Sequence, residues 1–196
     1  VLDVNYRGST GYGRHYMELL RGNWGLLDVE DAIGGQRFLI DNDLAHPDQV
    51  VIRGGSAGGY TVLQALCDYP GAFAGGVCLY GIGNLFTLSM GTHKFESSYN
   101  DTLVGSLPEA AAKFRSRSPI FKAERIVDPV AIFHGAEDKA VPPDQATELV
   151  SSLAKRGVPH FFHMYENEGH GFRRPENLEH FYESTLRFIT EHVIFA

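Results

Sequence analysis

The stretch Gly54-Gly55-Ser56-Ala57-Gly58 constrains this chain more than any other. It follows the apolar, β-branched run Val50–Arg53 and precedes a helical pattern from Ala57 to Asp68. A G-x-S-x-G pattern between a strand and a helix is a sharp, strained turn that pushes the serine hydroxyl clear of the backbone. Strand and helix then pass so closely that the residues two before and two after the serine must be small. Gly54 and Gly58 meet that demand, and Gly55 and Gly59 relax it further. The helix beginning at Ala57 aims its first amides at the serine, where they favour developing negative charge. Ser56 is therefore the candidate nucleophile, and the Ala57 N–H a candidate oxyanion donor.

The rest of the pattern alternates strand and helix. Val1–Tyr6, Gly76–Tyr80, Val130–His134 and His160–Tyr165 read as further strands. Asp28–Asp41, Pro143–Arg156 and Glu176–Phe195 read as helices, and residues 85–116 as a mostly helical insertion. Strands separated by helices predict a mostly parallel sheet with helices on both faces, in the manner of an α/β-hydrolase. There is no repeat, low-complexity stretch or linker, and the 196 residues, 43% hydrophobic, suit one domain.

In that fold a serine nucleophile is followed along the chain by an acid and then a histidine, each on a loop after a late strand. Asp138 follows Val130–His134, and His170 follows the strand ending at Tyr165. His170 lies between Gly169 and Gly171, with no bulky neighbour to stop it swinging to the serine. His134 and His163 fall inside strands and read as packed; His15, His46, His180 and His192 read as surface or turn residues. Glu137 and Asp144 are weaker candidates for the acid, since Asp144 sits in a first helical turn, where an acid has a capping role.

Composition excludes several classes. The net charge of −7 and the lack of a basic stripe argue against nucleic acid. No apolar run approaches the length of a membrane span. Cys67 and Cys78 form no CxxC and read as small buried hydrophobes, which leans the expected location toward the cytoplasm. Gly8–Gly13 is glycine-rich but lacks the Lys-Ser/Thr of a phosphate loop, so no nucleotide, metal or other cofactor is expected.

With these residues placed, the chain resembles the catalytic domain of the prolyl oligopeptidase family, nearest its acylaminoacyl-peptidase and aminopeptidase branch. The resemblance rests on Asn5–Gly13, Trp24-Gly25 with Asp28 and Asp31, Gly54–Tyr60, Thr92–Ser97, Val141-Pro142-Pro143 with Gln145, and Glu168–Phe172. It implies a serine peptidase acting on short peptides or on aminoacyl or acylaminoacyl amides. It also implies that Phe95, Tyr99 and Val141 wall a side-chain pocket, with core packing as the alternative. Arg7 with Asp28 or Asp31 is expected to form a structural ion pair. The resemblance further implies an N-terminal β-propeller and earlier strands, including a loop with a second oxyanion donor, that this chain lacks. Val1–Tyr6 would be the fourth strand of the fold and Val50–Arg53 the fifth, with the missing third strand between them. The expectation is then of a piece of a longer or nicked polypeptide, poorly stable and nearly inactive alone. Two other readings stay open: an esterase or dienelactone-hydrolase-like enzyme with the same triad, and an inactive fragment of a larger enzyme.

Overall fold

The computed structural model describes residues 1–91 and 97–196. Its elements run α1 (Arg14–Glu18), α2 (Leu27–Asp41), β1 (Val51–Gly55), α3 (Ala57–Asp68), β2 (Gly75–Leu79) and α4 (Leu85–Gly91). They continue with α5 (Ser97–Leu103), α6 (Ala111–Ser116), β3 (Val130–Gly135), α7 (Asp144–Lys155), β4 (His160–Tyr165) and α8 (Pro175–Ile189). The strands form one parallel sheet in the order β1-β2-β3-β4.

β2 and β3 are buried along their whole length, so their side chains alternate between two apolar layers. Val130 and Ile132 point into a layer with Val29 and Ile33 of α2, Leu63 and Leu66 of α3, and Leu149 and Leu153 of α7. Ala131 and Phe133 point the other way, onto Phe181 and Phe188 of α8. A third cluster, around Trp24, Tyr60, Leu85 and Phe114, anchors the helical insertion over the top of α3. Both thiols are buried, and that burial pushes each up to about 12, which leaves them chemically quiet.

Most elements fall within a residue or two of the sequence reading, with two corrections. The closing helix α8 stops at Ile189 and continues as a π-turn over Thr190–Ile194. The larger correction is Val1–Tyr6, which is not a strand. Leu2, Val4 and Tyr6 are exposed, and the segment joins no ladder among the described residues. Leu2 and Val4 instead rest against Gly35 of α2. A β-branched run becomes a strand only when a neighbour pairs its backbone, and here none lies beside it. β1 likewise is an edge of the sheet, paired on one side to β2.

The parallel register brings all four strand ends to one side. Gly55 pairs Leu79, Leu79 pairs Phe133, and Gly135 pairs Tyr165. The loops that leave these ends therefore open at a common edge, where sites in parallel sheets form.

Candidate active site

Ser56 leaves β1 with φ 56 and ψ −119, a backbone region that a non-glycine residue enters only when its surroundings hold it there. The hold is visible: the Ser56 N–H donates to the Leu79 carbonyl at 3.0 Å, and the Ser56 carbonyl accepts from Tyr60 at 2.9 Å. The small-residue demand is met differently from the sequence expectation. A Cβ on Gly54 would run into the Gly58 backbone, whereas a Cβ on Gly58 would meet open space. Gly59, not Gly58, is the second crowded position, since a Cβ there would lie 2.7 Å from the Gly81 Cα.

The loops after β3 and β4 bring Asp138 and His170 to this serine. His170 Nε2 lies 2.8 Å from Ser56 Oγ, and His170 Nδ1 lies 2.8 Å from Asp138 Oδ2. Asp138 Oδ1 accepts the N–H groups of Ala140 and Val141, both at 2.9 Å. Burial works against ionising this carboxyl, but the contacts of His134 and His170 and the Val141 N–H outweigh it. Asp138 is thereby held well below the usual carboxylate range. The rival acids lie elsewhere: Glu137 is exposed, and Asp144 opens α7.

His170 does not swing freely between its glycines. The Tyr80 ring stands edge-on to the imidazole with centroids 4.8 Å apart, and Phe172 packs on Tyr80 in turn. Tyr80 directly follows β2 with φ 37, a second non-glycine residue at positive φ beside the site. Sequence reasoning missed Tyr80 because backbone strain leaves no compositional trace. It singled out Glu168 only as part of the stretch Glu168–Phe172 and gave it no role. This buried carboxylate accepts the N–H groups of Arg173 and Arg174 and the Asn177 amide, at 2.9 to 3.1 Å, and so ties the histidine loop to the start of α8. Burial opposes its ionisation, yet these donors and the nearby Arg174 charge hold it below its ordinary value.

The histidine and acid loops touch backbone to backbone. The Glu137 N–H donates to the Glu168 carbonyl at 2.8 Å, and a Cβ on Gly135 would collide with the carbonyls of Glu168 and Gly169. A cavity of about 370 Å³ opens beside this contact, lined by Glu168, Gly169, His170, Gly171, Arg173 and Arg174.

Of the expected pocket residues, Phe95 lies outside the described residues, and so does the side chain of Tyr99 on α5. Val141 is buried in the cluster with Ile82 and Leu85. Arg7 pairs with Asp31 and Glu30, not with Asp28. Asp28 is spent inside the protein, accepting from the Gly25 N–H and the Thr61 hydroxyl. Among the described residues no group of three or more His, Cys, Asp or Glu side chains converges as a metal site. No helix among them is long and apolar enough to cross a membrane.

A parallel α/β sheet with serine, histidine and acid hydrogen-bonded in series at its carboxyl edge defines the α/β-hydrolase class. Within that class the chain belongs to the prolyl oligopeptidase family, which it matches over residues 1–194. It is 41% identical to a puromycin-hydrolyzing peptidase of Mycobacterium tuberculosis, with a TM-score of 0.94, over 97% of this chain and 29% of that one. It is 34% identical to dipeptidyl aminopeptidase BIII of Pseudoxanthomonas mexicana, over 97% of this chain and 28% of that protein. Dipeptidyl peptidase family member 6 of Caenorhabditis elegans is also 34% identical, over 90% of this chain and 25% of its own length. The chain thus spans between a quarter and three-tenths of each of these three relatives.

Proposed function

We propose that this chain carries the reaction centre of a serine peptidase that cleaves short peptides or aminoacyl and acylaminoacyl amides. The observation that carries the reading is the pair of 2.8 Å contacts linking Ser56 to His170 and His170 to Asp138. In the reaction, Ser56 Oγ attacks the amide carbonyl carbon while its proton passes to His170 Nε2. Asp138 fixes the imidazole with its proton on Nδ1 and stabilises the imidazolium that forms. The carbonyl oxygen becomes an oxyanion that accepts from the Ala57 N–H at the head of α3. The tetrahedral intermediate collapses, His170 gives its proton to the leaving amine, and an acyl ester of Ser56 remains. Water, deprotonated by His170, then releases the acid and restores the serine.

We further infer that a preceding part of the same polypeptide completes the centre. It would supply a second oxyanion donor, strands to pair along β1, and a β-propeller that limits access by size. The support is the free edge of β1, the unladdered Val1–Tyr6, and the share of each relative that this chain spans. A cytoplasmic location fits the two unpaired thiols.

The test is turnover by the intact polypeptide of aminoacyl anilides, their N-acylated forms and simple acyl esters. The proposal expects the amide substrates to be cleaved, with the rate lost in Ser56→Ala. Efficient hydrolysis of esters alone would point instead to an esterase.

A further inference from the structure

Asp138 faces two histidines, and the reaction above uses only one. His134, the penultimate residue of β3, is fully buried. Its Nε2 lies 2.9 Å from the Val141 carbonyl oxygen and 3.4 Å from Asp138 Oδ2. Its Nδ1 is buried with no hydrogen-bond partner among the described residues. This asymmetry fixes the tautomer. With the proton on Nδ1, the ring would bury an unpaired donor and turn its Nε2 lone pair toward two oxygen acceptors. With the proton on Nε2, the ring donates to the Val141 carbonyl and its positive edge faces the Asp138 carboxylate.

The contacts close a loop around the acid. Asp138 Oδ1 receives the N–H groups of Ala140 and Val141. The Val141 carbonyl, at the far end of the same turn, is held by His134. The turn 138–141 is therefore pinned from inside by the carboxylate and from the strand by the imidazole. One rotation of the Asp138 side chain satisfies both, and it aims Oδ2 at His170 Nδ1. Among the described residues, His134 and His170 are the titratable side chains in polar contact with this carboxylate. The neighbouring Glu137 and Lys139 side chains are exposed.

We infer that His134 is a positioning residue for the reaction, a second histidine that orients Asp138 and shares its negative charge with His170. The inference rests on the serine peptidase reading. It differs from burial for packing alone, because a fully buried apolar ring would fill the same space without leaving an orphaned Nδ1.

The consequence has a definite sign. Without the His134 N–H, more of the Asp138 charge faces His170, and the imidazolium becomes more stable. Protonated His170 cannot accept the Ser56 proton, so the acid limb of kcat/KM moves to higher pH. The rate at the optimum also falls, because the carboxylate loses its fixed aim.

Two variants of the intact polypeptide test this. His134→Phe fills the space and removes the donor. His134→Gln returns an N–H at nearly the same reach. The expected result is a fall of about 10-fold in kcat for His134→Phe, with KM little changed. Its acid limb moves upward, and His134→Gln recovers most of both effects. A uniform loss with the limb unmoved, a limb moved downward, or no rescue by Gln would overturn the inference. Thermal melts of both variants separate folding from function: an unfolded Phe variant passes the test to Gln, whose rate and limb must then stay near the parent's. Serine labelling of the parent by a fluorophosphonate keeps the two readings apart. A parent that does not label defeats the peptidase reading, whereas a labelling parent with an indifferent His134→Phe defeats only this one.

Discussion

The two ends of the sheet are built to opposite standards. At the β3–β4 end, the loops carrying Asp138 and His170 are locked by a backbone bond, three donors on Glu168 and four on or near Asp138. At the β1 end, Leu2, Val4 and Tyr6 are exposed and lean on a glycine of α2. A reaction centre needs its groups fixed to a fraction of an ångström, and fixation is what the first end supplies. The second end offers the open edge of β1 and exposed apolar side chains, which is how a surface awaiting a partner strand is composed.

Changes at the reaction centre, formed by Ser56 after β1 and the two locked loops, should hurt most. Ser56→Ala is expected to lower kcat by a factor on the order of 10⁴ to 10⁶, measured by single-turnover kinetics on an aminoacyl anilide. Gly135→Ala comes next. Its Cβ would strike two carbonyls of the histidine loop, so the loops must part, with a loss of about 2–4 kcal/mol in denaturant unfolding. Glu168→Ala should follow, at about 1–3 kcal/mol, because three donors lose a buried acceptor together. Its kcat should fall with it as the histidine loop loosens. A variant that keeps full activity would show that the tie to α8 is not needed.

Asp138 gives the comparison a pH axis. Its pKa in the folded protein lies below its unfolded value, so its ionised form adds stability that is complete above the ordinary carboxylate value. That contribution fades as pH falls below about 4 toward the lower folded value. The stability gap between the parent and Asp138→Asn should therefore be widest at neutral pH and shrink on acidification, read from urea melts at stepped pH. The smallest effect is expected at the loose end. A Cβ on Gly35 meets only the tips of Val4 and Leu2, which are free to move into solvent. Gly35→Ala should therefore change stability by no more than about 1 kcal/mol, with helix propensity offsetting the displaced contacts. A loss as large as that of Gly135→Ala would erase the distinction between the two ends.

How much of this was legible beforehand follows the same division. Ser56, Asp138 and His170 could be picked out because each sits at a strand end whose apolar run is plain in the sequence. β2 and β3 read clearly because both their faces are buried, so their apolar runs are unbroken. Val1–Tyr6 misled because a β-branched run reports a preference, and the pairing that would satisfy it comes from elsewhere. His134 read correctly as packed, but its link to Asp138 depends on a four-residue turn closing back on the strand. Gly58 and Gly59 are indistinguishable in sequence, and the crossing of α3 over β2 alone decides which is crowded. Tyr80 acts through backbone strain, which leaves no pattern in residue types, and Glu168 stands in the quoted motif but acts through bonds across a loop that the motif does not disclose.

The central claim is that Ser56 is a nucleophile activated by His170 and Asp138. Covalent labelling of the intact polypeptide by a fluorophosphonate probe tests it most directly. The account predicts one adduct on Ser56, abolished in Ser56→Ala and slowed on the order of 10³-fold or more in His170→Ala. No labelling of the folded parent, or labelling that survives Ser56→Ala, would contradict it.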